Sequence, residues 1–139
     1  MRLGHNTKID LIKGVPLFSA ASKQELAEIA SIADEIDLPE GKMLIEEGDP
    51  RPREFFVLID GTAEVERGGK KVASIGPGDF FGEMALISKV PRNATITTTS
   101  PVRALVITDR AFRQLLDHSP QIQIGVLSAL AERIAPTTL

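Results

Sequence analysis

Apolar residues near the start of the chain recur at the spacing of a helix face. Four of them lie at i, i+3, i+4 and i+7, namely Leu26, Ile29, Ala30 and Ala33. Side chains at this spacing share one side of an α-helix, where they can pack against a core. Ser22 followed by Glu25 matches a capping box, in which each side chain accepts a backbone N–H at the helix start. The pattern predicts that residues 5–33 are helical.

From residue 34 to residue 108 the pattern changes to short β-prone runs between turn signals. The turn signals are Pro39-Glu40-Gly41, Gly48-Asp49-Pro50, Asp60-Gly61, Gly68-Gly69 and Gly76-Pro77-Gly78-Asp79. The runs cover residues 42–46, 54–59, 62–66, 71–75, 95–99 and 102–108. Many short strands at this spacing are typical of an antiparallel sandwich or jelly roll.

A helical pattern returns after residue 108. Asp109 is a capping residue type, and an apolar cluster follows it, made of Phe112, Leu115 and Leu116. Ser119-Pro120 marks a second start, because proline is favoured at the first helical position. The apolar face expected for the last helix consists of Ile122, Val126, Leu127, Leu130 and Ile134. We predict two helices over residues 109–135, with Pro136 ending the second.

Composition narrows the classes of partner. The chain has 139 residues, a net charge of -3, and no Cys, Tyr or Trp. An acidic balance argues against a nucleic-acid surface, which needs a basic patch, and the absence of cysteine excludes disulfides and thiolate metal sites. No apolar run approaches the ~20 residues of a membrane span, and the start lacks the apolar core of a signal peptide. We therefore expect one cytoplasmic domain over residues 1–139 with no membrane span.

The candidate chemistry lies at residues 80–96. Their sequence is Phe80-Phe81-Gly82-Glu83-Met84-Ala85-Leu86-Ile87-Ser88-Lys89-Val90-Pro91-Arg92-Asn93-Ala94-Thr95-Ile96. Gly82 allows a tight turn, and residues 83–87 are rich in helix formers. A helix start presents unpaired N–H groups and partial positive charge to an anion. Arg92 can offer a planar fork of donors to a phosphate, and Glu83 is an acceptor that suits a ribose hydroxyl.

This segment resembles the phosphate-binding cassette of the cyclic nucleotide-binding domain family. The family pattern is Phe-Gly-Glu, an apolar residue, Ala-Leu, a short spacer, Pro-Arg, one variable residue and Ala, and every fixed element is present here. The resemblance covers about residues 10–134. It implies a mainly β fold with flanking helices: an antiparallel β-roll or jelly roll of the double-stranded β-helix type (34–108), N-terminal helices, a short phosphate-binding helix and two C-terminal helices.

The resemblance also implies roles for individual residues. Arg92 would pair with the cyclic phosphate, and the backbone N–H groups of Ala85 and Ala94 would help to hold it. Glu83 and the Gly82 backbone would hold the ribose 2′-hydroxyl, while Leu86 would be an apolar hinge to the C-terminal helices. The full implied ligand set is Gly82, Glu83, Met84, Ala85, Leu86, Arg92, Asn93, Ala94 and Arg133. No catalytic residue, metal or cofactor is implied.

The choice of base depends on two further positions. Many family members that favour cyclic GMP have a threonine directly after the cassette arginine, whereas this chain has Asn93. We therefore expect cyclic AMP (cAMP) to be preferred over cyclic GMP (cGMP). Arg133 lies on the last helix, where some bacterial relatives place a residue over the base, and an arginine face could stack there. The alternative for Arg133 is a solvated residue beside Glu132.

The resemblance implies a regulatory domain rather than an enzyme. Ligand binding would shift a conformational equilibrium, close the last helix over the base, and pass the signal to an effector protein whose identity stays open. A homodimer through the C-terminal helix is one arrangement open to such a domain. Direct nucleic-acid binding is not expected, because transcription-factor relatives carry a helix-turn-helix domain after this helix and the chain ends at Leu139.

Two alternatives compete with this interpretation. A cupin-type enzyme shares a similar roll but needs clustered histidine and acidic metal ligands, whereas the chain has only His5 and His118, both outside the predicted roll. The second alternative is a protein-interaction module that kept the fold and lost its ligand. Glu83 and Arg92 argue against it, because such charged positions are the first that a lost site would change.

Overall fold

The computed structural model describes residues 4–49, 54–82, 86 and 94–134. The helices in this part of the chain are α1 (His5–Lys13), α2 (Lys23–Ser31), α3 (Asp109–His118) and α4 (Pro120–Ile134), with a short 3₁₀ helix at Pro16–Phe18. The strands are β1 (Asp34–Leu38), β2 (Met43–Ile45), β3 (Glu54–Asp60), β4 (Ala63–Arg67), β5 (Lys70–Ile75), β6 (Phe80–Phe81), β7 (Thr95–Thr98) and β8 (Val102–Thr108).

The strands form two four-stranded sheets. The first sheet has the order β1-β8-β3-β6 and the second has the order β2-β7-β4-β5. Every pairing between neighbouring strands is antiparallel. The predicted fold class, a mainly antiparallel β-roll with flanking helices, is therefore confirmed.

The chain divides into two compact units, with boundaries between Ala33 and Asp34 and between Asp109 and Arg110. We call Asp34–Asp109 the roll unit, and the helical residues before and after it the helical unit. These boundaries agree with the predicted change from helix to β-roll near residue 34 and back near residue 108. That the whole chain forms one domain stays a prediction.

The interior of the roll is apolar and takes residues from both sheets. Its buried cluster consists of Ile45, Phe56, Leu58, Ala63, Ile96, Val102, Ala104 and Val106. On β3 and β8 the intervening residues are buried too, namely Phe55, Val57, Leu105 and Ile107. Burial on both faces explains why these two strands have continuous apolar sequences rather than an alternation of apolar and polar residues.

Strand β1 was not among the predicted strand runs, because its sequence Asp-Glu-Ile-Asp-Leu is mostly acidic. The structure nevertheless pairs all five residues with β8, from Asp34 opposite Val106 to Leu38 opposite Val102. Asp37 lies opposite Arg103, whose Nε donates to Asp37 Oδ1 at 3.0 Å. This hydrogen bond, and then the aspartate charge, raise the pKa of the Arg103 guanidinium. Cross-strand pairing thus places an acidic strand at a sheet edge, where Asp34 and Asp37 are exposed to solvent.

The predicted start of α2 is confirmed in atomic detail. Ser22 Oγ accepts the Glu25 N–H at 3.1 Å, and Glu25 Oε1 accepts the Ser22 N–H at 2.8 Å. The predicted apolar face, Leu26, Ile29, Ala30 and Ala33, is buried. The connector at Val15–Phe18 is buried at Val15, Leu17 and Phe18. The rings of Phe18 and Phe112 meet at 5.7 Å between centroids, so the two chain ends share one core in the helical unit.

Helix α4 begins where the sequence predicts, but one residue of its expected apolar face is exposed. Ser119 Oγ accepts the Ile122 N–H at 3.3 Å, which places Pro120 at the first helical position. The buried face consists of Ile122, Val126 and Ala129. The prediction for Leu127 is wrong, since its side chain is 65% exposed. Successive helical residues are about 100° apart around the axis, so position 127 turns away from the face that buries 126. The side chains at 130 and 134, and the predicted stop at Pro136, lie outside the described part.

Candidate functional site

The strand that leads into the candidate segment is anchored on the middle of the first sheet. Phe80 and Phe81 of β6 pair with Val57 and Phe56 of β3. The rings of Phe56 and Phe81 stack at 5.1 Å with planes 22° apart, and those of Phe55 and Phe80 lie 6.5 Å apart. Contacts of this kind between aromatic rings add to the area that they bury. The sequence analysis missed these ring pairs, although the doublets Phe55-Phe56 and Phe80-Phe81 were the available signal.

The turn before β6 is held by its own hydrogen bonds and by β3. Asp79 Oδ2 accepts the Gly76 N–H at 2.8 Å, which closes the predicted turn. Leu58 donates its N–H to the Asp79 carbonyl, and the Gly78 N–H donates to the Leu58 carbonyl, both at 2.8 Å. These bonds fix where β6 begins and therefore where the candidate segment leaves the sheet.

Gly82 directly follows β6 and has a backbone φ of +83°. This left-handed conformation is strained for residues with a Cβ and is open to glycine. This conformation is compatible with the predicted tight turn, which stays a prediction because residues 83–85 lie outside the described part.

The chain returns to the second sheet at Ala94, which is 6% exposed. Strand β7 follows it and lies between β2 and β4. Thr95 Oγ1 accepts the Glu47 N–H at 3.0 Å. The buried Thr98 Oγ1 donates to the Pro39 carbonyl at 2.7 Å and accepts the Lys42 N–H at 2.8 Å. The strand that follows the segment is therefore fixed as firmly as the strand that precedes it.

Residues 83–93 thus connect an edge strand of one sheet with an inner strand of the other. Leu86, inside this connection, has a fully buried side chain with 0% exposure. Burial of Leu86 fits the apolar contact that the family resemblance implies for it. Both ends of the segment are therefore held by the roll unit, and Leu86 between them is buried.

The remaining predicted site residues are placed as follows. Glu83, Met84, Ala85, Arg92 and Asn93 lie outside the described residues, as does the predicted short helix except for Leu86. Arg133 lies in α4, in the helical unit, and its side chain is outside the described part. Gly82, Leu86 and Ala94 lie in the roll unit. The ligand roles of all nine residues stay predictions.

The described ranges also bear on metal binding and on membrane insertion. No group of three or more His, Cys, Asp or Glu residues there could hold a metal ion. His118 lies exposed in the last turn of α3. No helix in the described part of the chain is long and apolar enough to cross a membrane.

Comparison with known proteins identifies the family. Residues 35–119 match the model of the cyclic nucleotide-binding domain, a match over more than half of the chain. The chain therefore belongs to the cyclic nucleotide-binding domain family, as its cassette sequence predicts.

Two curated relatives illustrate the range of proteins that carry this domain. The chain is 35% identical to a cAMP-dependent protein kinase regulatory subunit of Mycosarcoma maydis, over 89% of this chain and 24% of the relative. It is 37% identical to a cyclic nucleotide-gated potassium channel of Mesorhizobium japonicum, over 81% of this chain and 31% of the relative. The chain thus spans about a quarter to a third of the length of these relatives.

Solved structures agree with the fold. The N-terminal domain of a transcriptional regulator from Streptomyces coelicolor superposes with a TM-score of 0.83 at 28% identity, covering 93% of this chain and 95% of that one. The regulatory domain of Toxoplasma gondii PKA, crystallised with cAMP, superposes with a TM-score of 0.71 at 24% identity, covering 79% of this chain and 43% of that one. At the latter identity the likeness concerns the fold.

Proposed function

We propose that this chain is a sensor domain that binds a 3′,5′-cyclic nucleotide, with cAMP preferred over cGMP, in the segment 80–96. The observation that carries the proposal is a complete cassette sequence in the connection between the two sheets of a family roll. The names of the relatives, which include cAMP-dependent kinase regulatory subunits and a cyclic nucleotide-gated channel, support the same ligand class.

The chemistry of the ligand matches the residues of the segment. A cyclic phosphate carries one negative charge, which the Arg92 guanidinium would balance while donating two parallel hydrogen bonds. The N–H groups of Ala85 and Ala94 would donate to the same phosphate. Small side chains at both positions leave the backbone accessible, and the burial of Ala94 at the start of β7 supports a fixed N–H there. The ligand would thus meet preorganised donors rather than order them itself.

The ribose explains why an acidic residue belongs in an anion site. Glu83 would accept a hydrogen bond from the 2′-hydroxyl, and the positive φ of Gly82 supports a turn that brings the backbone near the sugar. For the base, Asn93 in place of threonine favours adenine, and Arg133 would stack on the ring. These assignments make cAMP the preferred ligand.

Calorimetric titration with cAMP and cGMP tests the proposal. We expect micromolar or tighter binding of cAMP and roughly three- to tenfold weaker binding of cGMP, since one hydrogen bond contributes about 0.5–1.5 kcal/mol. 2′-Deoxy-cAMP should bind more weakly than cAMP to the wild type, and Glu83→Gln should reduce that difference. The variant keeps the size of the side chain and removes its charge.

The result that contradicts the proposal is the absence of heat with either nucleotide, in a folded sample checked for co-purified ligand. That result would favour the protein-interaction module. If Glu83→Gln discriminates against the 2′-deoxy analogue as strongly as the wild type does, the ribose role of Glu83 is excluded while nucleotide binding stands.

We further propose that the bound state is transmitted through the C-terminal helices to an effector. A ligand can shift a conformational equilibrium only by its different affinities for the two states. Amide hydrogen exchange in α4 is expected to slow when cAMP is added, and 5′-AMP at the same concentration should leave it unchanged. Unchanged exchange in α4 at cAMP saturation would contradict transmission through this helix without contradicting binding.

A further inference from the structure

A cleft in the helical unit lies between the start of α2 and the middle of α4. Its volume is about 380 Å³, and it is a shallow depression that is open to solvent rather than an enclosed cavity. The lining residues are Ala20, Ser22, Glu25, Gln121, Ile124, Gly125 and Ser128. None of them belongs to the nucleotide-binding set proposed above.

The two carboxylate oxygens of Glu25 have different surroundings. One oxygen, Oε1, accepts the Ser22 N–H at 2.8 Å as part of the capping box. The other, Oε2, is buried and has no hydrogen-bond partner among the described residues, and Glu25 as a whole is only 8% exposed. An unpartnered buried carboxylate oxygen is costly, because it has lost its hydration without gaining a donor. A donor that reaches Oε2 from the cleft, once the atoms that cover this oxygen move aside, would remove this cost.

Gly125 of α4, which also lines the cleft, lies beside this carboxylate. An ideal Cβ at position 125 would lie 3.8 Å from Glu25 Oε2, so the glycine leaves the helix surface bare beside this oxygen. Glycine in a helix interior is less favourable than alanine. An alanine methyl group at this position would make an ordinary contact with the unpartnered oxygen and occupy the space beside it.

The lining selects a cation with N–H donors. Among the described lining residues, Glu25 contributes the one charge. Ser22, Gln121 and Ser128 contribute neutral polar groups, and Ala20 and Ile124 contribute apolar surface. A guanidinium is best matched by both oxygens of a carboxylate, and here Oε1 is engaged in the helix cap. An ammonium needs one carboxylate oxygen and can share its other donors with hydroxyl and amide oxygens. One carboxylate is too few ligands for a metal ion.

We propose that this cleft binds a primary alkylammonium group, which donates to Glu25 Oε2 and packs its methylene groups against Ile124. The same chemistry can come from a free aliphatic amine or from a lysine side chain of a partner protein. The site would be a second recognition site on the chain, separate in its residues from the cassette.

NMR titration of the full chain with n-butylammonium tests the proposal. We expect saturable amide shifts at Ser22, Glu25 and Gly125. Tetramethylammonium at equal ionic strength is the matched probe, because it carries the charge without N–H donors, and it should produce no saturable shift. Glu25→Gln should weaken n-butylammonium binding at least tenfold. This variant should fold, since glutamine also completes a capping box.

Two further variants distinguish a specific loss of n-butylammonium binding from a general loss of folding. Gly125→Ala adds a methyl group beside Oε2 in a helix that accepts alanine, so it should weaken n-butylammonium binding several-fold while the thermal midpoint does not fall. Glu28→Gln, also on α2 but outside the cleft lining, should leave binding unchanged. Equal binding by the wild type and Glu25→Gln, no saturable shift, or equal binding of tetramethylammonium would each overturn the proposal.

Two other probes define the ligand. Tighter binding of methylguanidinium than of n-butylammonium would overturn the assignment to an ammonium group. Nα-acetyl-lysine methylamide is compared with n-butylammonium to identify the source. Both possible orders of affinity support the proposed site and differ in the source of the ammonium group. Tighter binding of the lysine derivative indicates a lysine side chain of a partner protein, and tighter binding of n-butylammonium indicates a free aliphatic amine.

Discussion

Replacing Arg92 by alanine is expected to weaken cAMP binding by about 100-fold or more, since truncating one partner of a buried ion pair costs about 3–5 kcal/mol. In the proposed complex the cyclic phosphate loses its hydration and depends on the guanidinium for charge balance. Arg92 is also the one arginine of the cassette. The fold should survive, because the strands on either side of the segment are held by bonds that do not involve Arg92.

Calorimetry on three variants distinguishes the possible causes of a loss of cAMP affinity. Arg92→Lys keeps the charge but not the planar fork, so its affinity should lie between those of the wild type and Arg92→Ala. Arg113→Ala removes an arginine from an exposed position on α3 and should leave affinity unchanged. Unchanged affinity in Arg92→Ala would exclude the assigned phosphate site even if the wild type binds cAMP.

The cAMP affinity and thermal stability of Arg92→Ala, compared with those of the wild type, also distinguish the two functions that the family fold allows. A sensor should lose cAMP binding in Arg92→Ala while its thermal stability without ligand is unchanged. An interaction module that has lost its ligand should show no cAMP response in any variant. The comparisons identify the family, and this experiment decides whether the chain has kept the ligand chemistry of that family.

The helix starts were predictable because their signals are local. The capping box at Ser22 and Glu25 and the Ser119-Pro120 start depend on residues within one turn of each other, and the structure contains both. Gly82 is similar, because a positive φ restricts the choice of residue at a single position. In these cases the sequence nearest to the feature contains the physical cause.

Features that depend on distant partners were harder to predict. The acidic β1 becomes a strand through its pairing with β8, far along the chain. Leu127 has the residue type of a core position, but the face of α4 that is buried is determined by its neighbours in the helical unit. The cleft at Glu25 and Gly125 likewise required α2 and α4 to meet. The cassette is recognisable in the sequence because its residues form one continuous segment.

Replacing Gly61 by alanine is expected to lower the free energy of unfolding by about 3 kcal/mol or more, since backbone strain alone costs about 1–3 kcal/mol. Gly61 has a φ of +93°, and an ideal Cβ there would lie 2.3 Å from the Pro101 carbonyl oxygen. The same Cβ would lie 2.9 Å from Val102 Cγ2. A carbonyl oxygen in a closed turn cannot rotate away as the end of a long side chain can.

The surrounding hydrogen bonds explain why the turn cannot relax. The Thr62 N–H donates to Ser100 Oγ at 3.0 Å, and the Thr99 N–H donates to the Thr62 carbonyl at 2.9 Å. The turn between β3 and β4 is therefore bonded to the turn between β7 and β8. Moving Pro101 away from a new Cβ would break these bonds.

Urea unfolding of Gly61→Ala and Gly41→Ala separates the contact from the strain. Gly41 has a φ of +82° with nothing within 4 Å of an ideal Cβ, so its replacement carries strain without the clash. The urea concentration at the unfolding midpoint should fall much further for Gly61→Ala than for Gly41→Ala. The slope of the unfolding free energy against urea concentration should be the same for both variants. Equal midpoints would mean that the two turns can separate at little cost. The roll would then hold the ends of the nucleotide segment less rigidly than the proposed preorganised site requires.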